Sequence, residues 1–403
     1  MSESPISATI NYSSLAKYSM QEEWDDSKSV QTQETNTAFS LATSSSFAST
    51  SLSNDSSSCR GDSSSSSSSN ERLYGPTKSK AAQSALQELN QRLQDHPHLS
   101  SSCSLHLDSM MESFDLHLLT QFYDELMIPN FPLEEERDDL QDWLMILDPQ
   151  QRAPGASSSA AAAAAAAGNS SEPSMDVLIL RATDSTGNNH QHTILGGIAF
   201  EYYPQAKAGL LSYMVVSPKF RRLGLLATLH PVFTEALQGL HELSTNSCTP
   251  IAAILAETNT TTAGDVPLEV AQKRHLILYK LGYRLLHFPY VQPPLERNGE
   301  SFDDIMLLVY VGNNKHENSQ QEEEVSMPTQ VLYDYVLDFY RSVFGYTSSS
   351  EDENDDDFRD HWYYQLVTWY AQQHPTTRIQ VSLPPWKDCT PIWKERMLVA
   401  TES

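Results

Sequence analysis

The stretch Tyr213-Met-Val-Val-Ser-Pro-Lys-Phe-Arg-Arg-Leu-Gly-Leu-Leu226 concentrates the groups best suited to chemistry. The apolar run Gly209–Val216 predicts a strand. After a short loop, Arg221, Arg222 and Gly224 stand before apolar residues at helical spacing. The first backbone N–H groups of a helix have no intrahelical partner and point outward together, and the helix dipole favours negative charge there. Gly224 would let an anion approach the backbone, and the two guanidiniums would add charge-assisted donors. The stretch reads as a cradle for phosphate. It reads equally as a surface strand-to-helix turn with a solvated arginine pair.

Little else competes with it. His190 and His192 share a turn, and two histidines alone do not make a metal site. There is no Gly-x-Ser-x-Gly elbow and no P-loop lysine pattern. Cys59, Cys103, Cys248 and Cys389 are too scattered for a disulfide framework or a Cys-x-x-Cys metal site, and read as free thiols of a reducing compartment. No metal is expected.

The chain has 403 residues, 26 basic against 52 acidic. Residues 1–174 hold 24 of the acids, 313–403 hold 16, and 175–312 carry 12 against 10 bases, so the acidity belongs to the flanks. Such a balance excludes general nucleic-acid binding, which needs a basic footprint. The N-terminus lacks a basic start followed by an apolar run, and no stretch approaches the ~18 apolar residues of a membrane-spanning helix. The expectation is a soluble protein of the cytoplasm or nucleus, without nucleic-acid or membrane partners.

The apolar patterning sets out what must position the cradle. Residues 1–102 are dominated by Ser, Thr, Asn and Gln and predict a disordered tail, with a short helix near Ser79–Leu93. A strand is expected at Leu105–Leu107, a helix from Phe114 that ends before Pro129, and a second helix over Leu133–Leu147. Residues 153–174, with the run Ala160–Ala167, read as a disordered insertion. Val177–Ala182 and Ile194–Glu201 form a hairpin, followed by the Gly209–Val216 strand and a long helix from Arg222 that Pro231 should kink. Strands at Ile251–Glu257, Tyr283–Phe288 and Ile305–Val311 enclose a helix at Leu268–Leu281. Beyond a polar linker, Val325–Phe344 and Asp360–Gln373 look helical, separated by the acidic run Glu351–Asp357.

Arg221-Arg-Leu-Gly-Leu-Leu226 after an apolar strand, Leu278-Tyr-Lys-Leu-Gly-Tyr283 at a helix end, Gly196-Gly-Ile198 in a hairpin strand and Phe131-Pro132 between two helices occur in this order. Together with the succession of elements, they resemble the GNAT superfamily of acyl-CoA-dependent N-acetyltransferases over roughly residues 103–312. The resemblance implies an α/β fold: a mixed, mostly antiparallel sheet flanked by helices, followed by an acidic linker and helical C-terminal extension over 313–403. It implies acetyl-CoA as co-substrate, its pantetheine arm bonded by the backbone of Met214, Val215 and Val216 and touched by Asn259. Its pyrophosphate would lie on the amides of Arg222, Leu223, Gly224, Leu225 and Leu226, with Arg221 alongside. Two departures stand out. Leu226 occupies the family's small-residue position, and Leu278 that of its thiolate-protonating tyrosine, with Tyr279 one residue on.

On a helical wheel Tyr279 falls opposite the apolar stripe, beside His275, while Arg274 lies on the stripe. Amine acetylation also needs a proton acceptor. Glu257, at the end of an apolar strand, is the expected base and Glu201 the runner-up, with Tyr279 the expected acid; Tyr290, Gln292 and Pro293 could wall the acceptor pocket. The expected function is acetyl transfer to a primary amine of a small molecule or protein by direct attack. The alternative is a catalytically inactive GNAT-like module that binds acyl-CoA or a partner.

Overall fold

The computed structural model describes residues 74–94, 96–99, 102–131, 137–148, 173–184, 192–260, 268–286, 288, 290, 292, 305–312, 326–344 and 378–382. The serine-rich stretch before residue 74, the alanine run, the acidic run Glu351–Asp357, the expected helix at 360–373, His190 and Pro293 lie outside them.

Among the described residues nine strands form one sheet: β1 (Cys103–Ser109), β2 (Ser174–Asp184), β3 (His192–Tyr203), β4 (Ala208–Val216), β5 (Ala253–Asn259), β6 (Tyr283–Leu286), β7 (Ile305–Tyr310), β8 (Ser326–Pro328) and β9 (Arg378–Ser382). Their spatial order is β1-β2-β3-β4-β5-β7-β6-β9-β8. Every pairing is antiparallel except β4 with β5. The sheet is mixed and mostly antiparallel, as the resemblance implies; β8 and β9 were not anticipated.

Alternate residues of each strand face opposite sides, and both sides are covered. On one, Leu178, Ile198, Phe200, Met214 and Ile254 pack with helices α1 (Lys80–Leu93), α4 (Leu225–Thr245) and α5 (Leu268–Lys280). On the other, Val177, Ile179, Ala199 and Val215 meet α2 (Leu116–Phe122), its continuation and α3 (Leu140–Leu147). Further along that second side, Tyr203, Leu210, Leu255 and Val309 meet α6 (Thr329–Phe344).

Three helices need comment. Order begins before residue 103: α1 is capped by Ser79, whose side chain accepts from the Ala82 N–H, and it buries Ala82, Ala85, Leu89 and Leu93. That spacing is one helical stripe, and burying each leucine stabilises the fold by about 1.5–3 kcal/mol. Tyr74 adds a bond from its hydroxyl to buried Asp176 at 2.7 Å. The helix from Leu116 does not stop before Pro129. It widens into a π turn at Tyr123–Met127, where the Ile128 N–H reaches the Tyr123 carbonyl, and closes with Ile128–Asn130. The wider ladder carries the chain past a residue that has no N–H to give. Helix α4 likewise runs through Pro231 as one element.

The Gly196-Gly197 pair is required by close approach. A Cβ on Gly197 would lie 2.6 Å from both the Leu178 carbonyl oxygen and Phe122 Cε2. Gly197→Ala is therefore expected to destabilise the protein by about 1–3 kcal/mol, read as a lower urea midpoint at unchanged slope.

Candidate functional site

The parallel pair β4–β5 is short. Its register runs from Ala208↔Ala253 to Leu211↔Ala256 and then stops. From there β5 keeps its antiparallel pairing with β7 through Asn259, and β4 keeps its pairing with β3 through Val216. The two strands part at this point, and a bulge lies on the lip. Ala199 pairs with Tyr213 and Phe200 with Leu211, leaving Ser212 as the extra residue. Bulges bend a strand and re-aim its side chains. Met214, Val215 and Val216 bury their side chains, so along the gap they present backbone.

At the end of β4 the chain makes a turn at Pro218–Phe220 and enters α4 through two left-handed residues, Arg222 (φ 67°) and Gly224 (φ 70°). A non-glycine residue in that region is uncommon and stores strain. The Thr228 N–H closes on the Gly224 carbonyl at 3.1 Å, so Leu225, Leu226 and Ala227 supply the first-turn amides. Leu226 does not fill this corner; its side chain is buried in the core with Leu225. Leu223 is half-buried against that core. Arg221 Nη2 donates to Asn130 Oδ1 at 3.0 Å, tying the turn to the end of the π-containing helix. Arg222 is exposed.

One cation here was missed in the sequence. Arg92, at the end of α1, donates through Nη1 to the Leu223 carbonyl at 3.1 Å and would stand 2.5 Å from a Cβ on Gly224. It also pairs with Glu88. Three arginines thus gather about a helix start, where positive charge is least favoured. No local pattern signals Arg92, because the contact spans 131 residues of chain.

A second polar group lies across the lip. Glu201 sits between Ala199 and Tyr203, and Glu257 two residues past Leu255. All three neighbours pack on the side of the sheet that carries α2, α3 and α6, so by strand alternation both glutamates face that side. They occupy the seam between its two apolar clusters. Glu201 accepts from Ser212 Oγ at 2.9 Å and from the Tyr203 hydroxyl. Glu257 accepts from the Tyr290 hydroxyl and from Gln292 Nε2 at 3.0 Å. Close by, the Asp138 N–H donates to the Tyr213 hydroxyl at 3.0 Å, and Asp138 Oδ2 accepts from Trp143 Nε1 at 3.1 Å.

Burial raises the Glu257 carboxyl to about 7 against the Tyr290 hydrogen bond, with Glu201 and Asp138 pushing further upward. Burial raises Glu201 to about 6, and Asp138 adds to it while Tyr203 and Ser212 oppose. Among the described residues no group of three or more His, Cys, Asp or Glu is arranged to hold a metal ion, so these carboxyls feel one another without converging on a point.

Other residues singled out in the sequence are engaged elsewhere. Asn259 Oδ1 accepts from Arg274 Nη1 at 3.0 Å, and its carbonyl faces His275 Nε2 at 2.9 Å. Those bonds explain why Arg274 can lie near the apolar stripe, and why His275 is buried despite its place on the wheel. The Arg284 guanidinium lies 4.1 Å over the Tyr279 ring, and Leu278 is buried in the core. No described helix is long and apolar enough to cross a membrane.

Ionisation of the seam carries a stability signature. Both glutamates hold their protons more tightly folded than at the ordinary carboxylate value, so the contribution is complete below about pH 4.5 and is lost as pH rises through about 6 and 7. Thermal unfolding is expected to show a midpoint that falls between pH 5 and pH 8, and a flatter profile in Glu201→Gln/Glu257→Gln.

No family model matches the chain, and no curated protein matches it. Among solved structures, one described as "Putative acetyltransferase from GNAT family from Bacteroides thetaiotaomicron" is similar at 16% identity, covering 60% of this chain and 99% of that chain with a TM-score of 0.35. A likeness at that level does not establish a family.

Proposed function

We infer that the chain is an acyltransferase of the GNAT type, moving an acetyl group from acetyl-CoA to a primary amine by direct attack. The observation that carries this reading is the parting of β4 from β5 with Glu257 on its lip. A gap between parallel strands leaves backbone donors and acceptors along Met214–Val216 for an extended amide-bearing arm, which is what pantetheine is. The left-handed turn and first-turn amides at Arg222–Leu226 suit its diphosphate, with Arg221, Arg222 and Arg92 supplying positive charge.

The reaction needs few parts. Glu257, raised to about 7, takes one proton from the acceptor ammonium. The freed nitrogen lone pair attacks the thioester carbonyl, the C–N bond forms, and the C–S bond breaks as the tetrahedral centre collapses. The second nitrogen proton offsets the charge of the departing thiolate, so the products are amide, CoA thiol and the proton on Glu257. Backbone N–H groups beside the bulge would stabilise the developing oxyanion. Tyr279 has no part in this scheme, because its ring is engaged by Arg284.

A second reading, an acyl-CoA-binding module without turnover, draws support from the apolar burial of Leu278 where the family carries its tyrosine. Two measurements separate the cases. Acetyl-CoA at about 100 times its Kd should stabilise the protein by about 2.7 kcal/mol; no upward shift in thermal midpoint would remove both readings. Thiol release with a panel of primary amines should show turnover whose kcat/KM rises with pH through about 7 and is lost below it as Glu257 takes up its proton. Glu257→Gln should lower kcat about 100-fold or more, whereas Tyr279→Phe should change it less than about threefold. Binding without thiol release from any amine would favour the module.

A further inference from the structure

The seam between the two apolar clusters holds more than one base requires. Glu201 and Glu257 project from the same side of the sheet, separated by β4. With strands roughly 4.8 Å apart and about 3.3 Å per residue, the register places their Cα atoms roughly 12 Å apart, and both side chains are long enough to reach inward from there. Each carboxylate is hydrogen-bonded by neutral groups only: Ser212 and Tyr203 on one, Tyr290 and Gln292 on the other. Among the described residues neither is ion-paired with a lysine or arginine.

An independent observation points into the same space. The Tyr335 hydroxyl, on α6, is fully buried, and among the described residues no side chain or backbone group meets it in hydrogen-bonding geometry, although the Tyr290 hydroxyl is near. Both Glu257 and Glu201 act on its ionisation, so it sits within reach of each carboxylate's field. A buried hydroxyl left unpaired costs about 1–3 kcal/mol, a cost a ligand N–H would remove. Around it, the Tyr203 ring stands edge-on to Tyr335 at 5.4 Å, and Tyr335 stacks on Phe339 at 5.9 Å. These rings can cover methylene groups and face a cation.

We propose that this seam is the acceptor pocket and that it takes a diamine: one nitrogen is presented to Glu257 for acylation while the second, still protonated, is held by Glu201 and the Tyr335 hydroxyl. Among the described residues no three metal-ligating side chains gather; two charges joined by a short apolar chain fit carboxyls carried on strands two apart in the sheet. The proposal rests on the acetyltransferase reading only for which nitrogen reacts, not for the binding itself.

The test compares 1,4-diaminobutane with 1-aminobutane on the full chain. By calorimetry without acetyl-CoA, the diamine is expected to bind at least about 30-fold more tightly. With acetyl-CoA, its kcat/KM should exceed the monoamine's by a similar factor. Glu201→Gln should bring that ratio near one, and Tyr335→Phe should lower it severalfold through KM, with each variant's folding checked by its thermal midpoint. Equal affinity and equal kcat/KM for the two amines would overturn the proposal while leaving the transferase reading standing. A tight, Glu201-dependent diamine complex without turnover would do the reverse. If Glu201→Gln misfolds, Tyr335→Phe decides alone, and an unchanged ratio there also overturns the proposal.

Discussion

The site depends on one constraint, the early end of the parallel β4–β5 ladder. After four register pairs, β4 and β5 are held by different partners, and among the described residues no ladder pairs them over Ser212–Val216. An unpaired strand edge inside a sheet is a liability, because its N–H and C=O groups need bonds that neighbouring chain does not supply. Here the helix layers cover the side chains on both faces. Everything placed nearby follows from that opening: the bulge at Ser212 on one lip, Glu257 on the other, and the left-handed turn into α4 at its end.

The second cost is electrostatic. Two glutamates at a seam between apolar clusters resist ionisation first because they are buried, and then because they and Asp138 share one sign. A chain selected for stability alone would fill such a seam with leucine or pair the acids with arginine. The tyrosines at 203, 290 and 335 instead give a polar lining without neutralising it. That choice leaves the Glu257 carboxyl exchanging its proton near neutral pH.

Much of the sheet was legible in the residues. Alternation and apolar runs located β1 to β7 to within a few positions, and Gly282 after Leu281 marked the end of α5. The turn at Arg222–Gly224 was visible from Arg-Arg-x-Gly after an apolar strand. What escaped has a common cause. The contact from Arg92 to Leu223, the pairing of Arg274 with Asn259 and the burial of Tyr335 beside Tyr203 all join segments distant in sequence, and none leaves a periodic trace. The wheel for α5 misjudged His275 because it weighs side-chain hydrophobicity and cannot see a carbonyl waiting at Asn259. The π turn before Pro129 was hidden in the same way, since proline announces a break and not how the ladder goes around it.

The docking of α1 has a practical consequence. Its stripe of Ala82, Ala85, Leu89 and Leu93 is roofing for α4, and Tyr74 and Ala81 fasten that roof through Asp176 and Glu235. A protease that trimmed the chain back to the first strand would strip an oily groove bare and withdraw Arg92 from the Leu223 carbonyl in the same cut. The stretch from Tyr74 to Leu93 is therefore not an appendage to be discarded for convenience: it belongs to the fold as firmly as any strand of the sheet.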